Sequence, residues 1–444
     1  ASLMDGNTPG LDGEKYFYRS FEEKLGRMTT IWRTYYNVIT KCNLALDVDR
    51  DGNGNPFNLD MRSDDYIHNY TRQVAEYHFC RAFSYFSLIR IFAPPYNHNG
   101  ENNQKAIPLK TSAAYSKEDV YNEELGTIEA IYDLIISDLK YAKENLPDQF
   151  TLNSWNNVAG YECGRANKWV ATSLLGKVYF LMGKYAEAKA EFDAVIDYAE
   201  ATGTYKLEAP KDPFNKEKAQ DVPKESIWEF NSGFLDGKYE KHNQYMYCGM
   251  VMGLRFRDSN GDELESLPGN NEGTVISSWN GFGIAYTALK EMGWMVDPMN
   301  GNYEVTPAAE NDLRYQQVYH LMLPYGKFSK FPFIRLADIY LLRAWLRWNS
   351  NDLQGAADDL NIVWNRANPQ NQDIYTASNV NHDVIYQEYL REMTGEGWTV
   401  DFMMGTQMTI PAGDSKLNSQ VAPPYSSWYW SIPDDEVNLN DKYQ

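Results

Sequence analysis

The stretch LLGKVYFLMGKYAEAKAEFDAVI, residues 174–196, sets the architecture of this chain. Leu175, Gly176 and Tyr179 have the spacing L-G-x2-Y, and Ala188 and Phe192 follow as A-x3-F. This is the tetratricopeptide pattern, two antiparallel helices joined by a tight turn. Gly176 and Ala188 are small where the helices cross, so the backbones approach closely. Tyr179 and Phe192 fill the space beside them, and Gly183-Lys184 supplies the turn.

A second copy is DIYLLRAWLRWNSNDLQGAADDLNIVWNRA, residues 338–367. Ala344 and Ala356 take its small positions, Leu360 and Val363 the large ones, and Asn351 with Asp352 cap its second helix. A degenerate copy begins at residues 75–92, with Ala82 and Tyr85 in register, and its partner is expected at 127–147. Further helices are expected at 31–47 and 384–393. Long turn-rich segments interrupt the pairs at 92–126, 205–332 and 396–444. They carry GNGNP, APPYNHNGENN, LPGNNEG, DPMNGN and IPAGDSK. The expected fold is mainly α, with tetratricopeptide-type helix pairs and large irregular loop insertions. One domain is expected over 1–444, with the helical scaffold at about 25–205 and 330–395. The loop-rich, ligand-binding insertions fall at about 206–329 and 396–444.

Composition narrows the function. A formal charge of −20 argues against nucleic acid, because a phosphate-binding surface needs clustered Lys and Arg. It favours a neutral or cationic ligand. Aromatic residues make up 14% of the chain, and 33 of them are Tyr, a residue with an apolar body and a polar tip. No run of 18 apolar residues exists to span a membrane. The opening ASLMDGNTPGLDGEKYFYRS has no basic and apolar leader pattern and reads as the inside of a longer precursor or a trimmed chain.

Four cysteines, Cys42, Cys80, Cys163 and Cys248, are widely spaced, which is neither a disulfide framework nor a zinc site. Cys42 and Cys80 fall in helical patterns and are expected to be buried thiols. In DVDRDGNGNPFNLD, residues Asp47, Asp49, Asp51 and Gly52 match the first half of a calcium loop. The twelfth position is Asn58 rather than Glu, so an acidic turn after a helix is the competing reading. Asp258, Asn260 and Asp262 form a shorter version of the same pattern. Arg335, Arg343, Arg347 and Asp338 decorate one helical segment, as an ion-pair network or a docking strip. His78 lies in an apolar pattern as a core residue. There is no HExxH, G-x-S-x-G, Walker loop or dinucleotide fingerprint.

Five blocks in order resemble the SusD-like (RagB/SusD) family of outer-membrane glycan-binding lipoproteins. They are WRTYYNVITKCNLALD, AEYHFCRAFSYFSLIRIFAPP, FPFIRLADIYLLRAWLRW, LREMTGEGWTVDFMM and WSIPDDEVNLN. The chain departs from the family pattern at Ala344-Trp345-Leu346, where A-E-A is usual. It also departs at Trp398, where Arg is usual after E-G, and at Ser431 in place of the first Pro of P-I-P. The resemblance implies a non-catalytic oligosaccharide receptor at the outer-membrane cell surface. Such a receptor is held by an N-terminal lipid anchor outside this chain and delivers its ligand to a SusC-like TonB-dependent transporter.

A sugar ring has apolar C–H faces and a rim of hydroxyls, so its receptor needs flat rings beside directed hydrogen-bond groups. The middle segment 231–303 is dense in both, with Tyr239, Asn243, Gln244, Tyr245, Tyr247, Trp279, Asn280, Trp294 and Tyr303. Near the start, Tyr16, Tyr18 and Arg19 offer the same mixture. These residues are the expected glycan contacts, chosen by composition and location. The alternatives are a scaffold that holds a peptide in its helical groove and a glycan-degrading enzyme using two of the 61 carboxylates.

Overall fold

The computed structural model describes residues 19, 21, 26–121, 123–150, 164–216, 222–230, 286–296, 304–315, 328–329, 331–413 and 418–443. It also gives the backbone of strand pieces at 4–6, 234–235, 238–239, 256–257, 263–264 and 282–284. The molecule is mainly helical. Helix α1 runs Gly26–Asp51, α2 Thr71–Phe92, α3 Ile128–Asn145, α4 Lys168–Leu181 and α5 Tyr185–Thr202. Helix α6 runs Leu336–Asn349, α7 Leu353–Ala367, α8 His382–Met393 and α9 Thr399–Gly405. Helices α1 to α7 pack in chain order, each against the next, while α8 lies on α6 and α9 on α4.

The three expected pairs are α2 with α3, α4 with α5, and α6 with α7. Gly176 is where α4 and α5 touch: a Cβ there would lie 2.5 Å from the Phe192 ring. Phe192, Ala188, Ala344, Ala356, Leu360 and Val363 are all fully buried. Polar side chains start the helices. Thr127 Oγ1 accepts from the Ala130 N–H, Asn167 Oδ1 from Trp169 and Val170, Asp352 Oδ1 from Gly355, and Asn381 Oδ1 from Val384. Each such cap stabilises its helix by about 1 kcal/mol. Asn351 takes a left-handed φ of 65°, turning the chain between α6 and α7.

The interrupting segments contribute short strands. Lys105–Pro108 pairs antiparallel with Leu125–Thr127, and Ser226–Phe230 pairs antiparallel with Phe331–Arg335. The second ribbon ties the middle of the chain to the start of α6, where the Leu336 N–H donates to the Glu225 carbonyl.

Beneath that ribbon lies a buried ionic cluster. Arg335 reaches Glu225, Glu392 and Glu396, and Arg366 pairs with Glu392. Arg314 reaches Asp312, Glu388 and Glu392, and Arg391 pairs with Glu388. Burial pushes the Glu392 carboxyl up, but Arg366, Arg335 and Arg314 outweigh it and hold its pKa at about 2. A second group centres on Asp359, which Arg343 grips at 2.7 and 2.9 Å and Arg347 at 3.0 Å. Arg343 and Arg347 therefore form the ion-pair network expected of them. Asp338 does not join it; it pairs with the buried Lys177 and accepts from the Tyr389 hydroxyl.

Two expectations need correction or refinement. Cys42 is buried, but Cys80 is exposed, because α2 turns residues 73, 77 and 80 outward on one face. His78 is half-buried rather than core, with Nδ1 2.6 Å from Asp138 Oδ1 and its ring against Tyr141. Cys163 and Cys248 lie outside the described residues.

Candidate functional site

The site is assembled from exposed rings, so the placement of each expected ring decides it. Tyr16, Tyr18, Asn243, Gln244, Tyr245, Tyr247, Trp279, Asn280 and Tyr303 lie outside the described residues. Tyr239 is in a strand piece paired with Phe234–Leu235, and its side chain lies outside them too. Trp294 is described, and it is no sugar platform. It is 1% exposed, with its ring packed edge-on against Tyr315 at 5.5 Å. Met292, Met295 and Leu289 around it are equally buried, so the MGWM stretch points into the core.

Arg19 is tied down. Its guanidinium lies 5.0 Å from the Trp428 ring centre, and it donates to the carbonyls of Ser419 and Pro411. Burial lowers its pKa to about 10. Arg19 lines a cavity of about 390 Å³ between the scaffold and the C-terminal segment. Tyr35, Phe83 and Phe333 wall one side, and Phe21, Trp428 and Trp430 the other. Arg90 and Asp401, also in its lining, pair with each other, Nε to Oδ1 at 2.6 Å. Arg90 and Asp401 thus satisfy each other, while Arg19 keeps its buried Nε without a hydrogen-bond partner among the described residues.

The geometry at Asp47, Asp49 and Asp51 fits the competing acidic reading better than a calcium loop. Asp47, Asp49 and Asp51 sit in the last turns of α1, not in a loop, so alternate residues splay to different sides. Asp47 Oδ2 accepts from Ser112 Oγ, the Ala113 N–H and Tyr115 Oη at 2.7, 2.8 and 3.0 Å. Burial raises the Asp47 pKa, but these bonds and the Arg50 charge outweigh it and leave it below the usual range. Asp49 accepts from Tyr70, and Asp51 pairs with Arg50. Each carboxylate thus has its own partner. No cluster of three or more His, Cys, Asp or Glu suited to a metal occurs among the described residues. The similar pattern at Asp258, Asn260 and Asp262 lies outside them.

The loop after α1 has the sequence of an acidic turn, yet it carries the rings. Asn53 and Gly54 take left-handed φ values of 52° and 77° and end the helix. The Asn55 amide then bonds both N–H and C=O of Leu59, closing a compact loop. A π-helical turn at Asp65–Tyr70 leads into α2. Within it Tyr66 stacks on Tyr70 at 5.8 Å, and Phe57 meets Tyr70 edge-on at 6.0 Å. The phenol tips are pinned: Tyr70 donates to Asp49 Oδ1 at 2.6 Å and Tyr66 to the Gly54 carbonyl at 3.1 Å. Phe57 stands 66% exposed, and Tyr115, anchored to Asp47, 67% exposed.

Leu44, Val48, Met61 and Ile67 on the same helix end and loop are also exposed. Burying a Phe side chain is worth about 1.5–3 kcal/mol, so leaving several rings and aliphatic groups in water at one end of the molecule marks an interaction surface. Asn53, Asn58 and Asp60 stand exposed in the same loop, with Asp51 exposed at the end of α1, and supply hydrogen-bonding groups beside the rings. The sequence signal is there: Phe57, Tyr66 and Tyr70 fall among Gly, Asn, Pro and Asp, with no periodic pattern to bury them.

The protein is thus a tetratricopeptide-type scaffold that holds aromatic loops at its surface. Two family models match the chain. One, described as starch-binding associating with outer membrane, covers residues 13–180; the other, the SusD family, covers 324–404. A SusD-like protein P2 from Formosa agariphila is 25% identical over 197 residues, 44% of this chain and 32% of that protein. The match thus spans about a third of that relative's length. A SusD superfamily protein structure from Bacteroides vulgatus superposes with a TM-score of 0.70 at 17% identity, over 99% of this chain and 89% of that one. A laminarin-binding SusD-like protein superposes with a TM-score of 0.64 at 20% identity, over 99% and 90%. The chain belongs to the SusD/RagB family.

Proposed function

We propose that this protein is a non-catalytic cell-surface receptor that captures oligosaccharides and delivers them to a SusC-like TonB-dependent outer-membrane transporter. The observation that carries the reading is the ring surface of exposed Phe57 with half-buried Tyr66 and Tyr70, whose faces suit the C–H faces of sugars. The family description and the laminarin-binding neighbour support the ligand class. No helix among the described residues is long and apolar enough to cross a membrane, and a lipid anchor preceding the chain would hold it at the surface. Middle-segment residues from Tyr239 to Trp279, with Tyr16 and Tyr18, are proposed to extend the contact.

Stacking on two or three rings with a few hydrogen bonds gives Kd values from micromolar to millimolar, on the order of −4 to −8 kcal/mol. The test is a soluble-glycan array, calorimetry on the best ligand, and chromatography of the incubated sugar. The Phe57→Ala/Tyr66→Ala double variant is expected to bind at least about tenfold more weakly, a loss of about 1.4 kcal/mol, with an unchanged circular dichroism spectrum. New shorter sugars in the chromatogram would make the protein an enzyme. Equal affinity of the folded variant would remove these rings from the site.

A further inference from the structure

Helices α1 and α2 run antiparallel with their side chains in close register. Trp32 meets Phe92 at 5.1 Å between ring centres, Tyr36 meets Tyr85 at 6.4 Å, and Asn43 Oδ1 accepts from Arg81 Nη1 at 2.8 Å. That register sets Cys42 opposite Cys80, one residue before the Asn43–Arg81 contact on each helix. Both are free thiols; Cys42 is buried and Cys80 is exposed. We propose that Cys42 and Cys80 are a thiol pair that takes up an external low-molecular-weight or protein disulfide and closes into a bridge between α1 and α2.

The asymmetry of the pair sets the order of events. The neighbouring Cys80 first, and then burial, push the Cys42 thiol up, while the neighbouring Cys42 pulls Cys80 down against its own desolvation. Cys80 is thus the accessible sulfur and the one favoured as thiolate, which is the nucleophile in exchange. Its thiolate attacks one sulfur of the external disulfide, forming a mixed disulfide and expelling one thiolate, which takes up the proton that Cys80 lost. Cys42 then gives its proton to solvent base and attacks the Cys80 sulfur, expelling the second external thiolate, which is protonated in turn. The balance is two protein thiols and one external disulfide in, one protein disulfide and two external thiols out. Arg81 and Asp138 lie beside Cys42, and Glu76 beside Cys80.

The test equilibrates the full chain with oxidised and reduced glutathione, quenches with acid, alkylates and maps peptides without reduction. The expected product links the peptide holding Cys42 to the peptide holding Cys80, at a glutathione ratio where an unpaired surface cysteine carries only glutathione. Cys42→Ser is expected to stop at one glutathione on Cys80. If the wild-type chain keeps a stable glutathione on Cys80 with Cys42 still alkylated after denaturation, the pair does not close and the proposal fails. It also fails if both thiols stay unmodified, or if either pairs with Cys163 or Cys248.

Discussion

Arg335 grips Glu396 with two parallel hydrogen bonds, Nε to Oε2 at 2.8 Å and Nη2 to Oε1 at 2.6 Å, in a site where both side chains are buried. The remaining Nη1 reaches Glu225 and Glu392, so one guanidinium joins the middle ribbon, the start of α6 and the end of α8. Removing it leaves three buried carboxylates short of their cation. Breaking a buried pair from one side costs about 3–5 kcal/mol, most of it the stranded charge. Arg335→Met is expected to lose that much in chemical denaturation at neutral pH. Arg335→Lys should recover only part, because an ammonium keeps the charge and loses the two-pronged geometry. A fully stable Arg335→Met would show that the cluster relaxes into water.

The same cluster predicts an acid-side stability maximum. Among the described residues, Arg314, Arg335, Arg366 and Arg391 face Asp312, Glu225, Glu388, Glu392 and Glu396, one carboxylate more than the guanidinium groups. Burial raises the Glu396 pKa to about 7 against the pull of Arg335, so the surplus charge is relieved by a proton there. Between the usual carboxylate pKa and about 7, the folded chain holds a proton that the unfolded chain has lost. Stability therefore falls as pH rises through that window, by on the order of 3 kcal/mol, and levels off above it. Glu392 works in the opposite sense: its depressed pKa contributes stability that is lost as pH falls from about 4.5 towards about 2. Glu396→Gln is expected to flatten the decline between about pH 5 and 7. Urea melts of both proteins across that range check it, and parallel slopes would place the titration elsewhere.

Trp294→Ala is expected to act on folding and not on binding. Its ring is buried beside Tyr315, and truncating a buried Trp costs about 3–5 kcal/mol. Glycan affinity, measured on the fraction that remains folded, should match the parent. A stable variant with weakened binding would return Trp294 to the surface role its surroundings in sequence suggest.

Trp294 also shows where sequence legibility ends. The helix pairs are legible because small residues such as Gly176 and Ala344 mark a crossing, and their spacing repeats regardless of what surrounds them. The ion-pair partners of Arg335 lie up to 110 residues away in sequence, and no local spacing announces them. The ring surface has its signal in Phe57, Tyr66 and Tyr70, but a stronger-looking acidic pattern precedes it. The Asp47-x-Asp49-x-Asp51 spacing imitates a cation loop, whereas α1 simply continues through those residues. Trp398, a departure from the family's usual Arg, is explained by its neighbours: Lys177 lies 3.7 Å and Arg90 4.7 Å from its ring, and its N–H donates to the Phe333 carbonyl. An aromatic face there receives two cations where a third would be repelled.

On the proposed reading, charge around the ring surface predicts which glycans bind. Asp51, Asp60, Asp64 and Asp65 are exposed beside Phe57, Tyr66 and Tyr70. Among the described residues, Arg50 pairs with Asp47 and Asp51, and Arg62 with Asp60. The whole chain adds a formal charge of −20. A uronate or sulfate placed roughly 8 Å from each of several carboxylates in water meets about 0.5 kcal/mol of repulsion per pair, so on the order of 1–2 kcal/mol in total at low salt. Neutral glucans are therefore expected to bind about tenfold more tightly than carboxylated or sulfated chains of equal length at low ionic strength. The gap should narrow at about 0.15 M salt, where the screening length falls to about 8 Å. Asp64→Asn/Asp65→Asn should narrow it in the same direction without changing affinity for the neutral chain. Calorimetry on matched neutral and oxidised oligosaccharides reads the difference. Tighter binding of the anionic chain would show that the rings are approached from a side these carboxylates do not line, while no binding of either would count against the receptor reading itself.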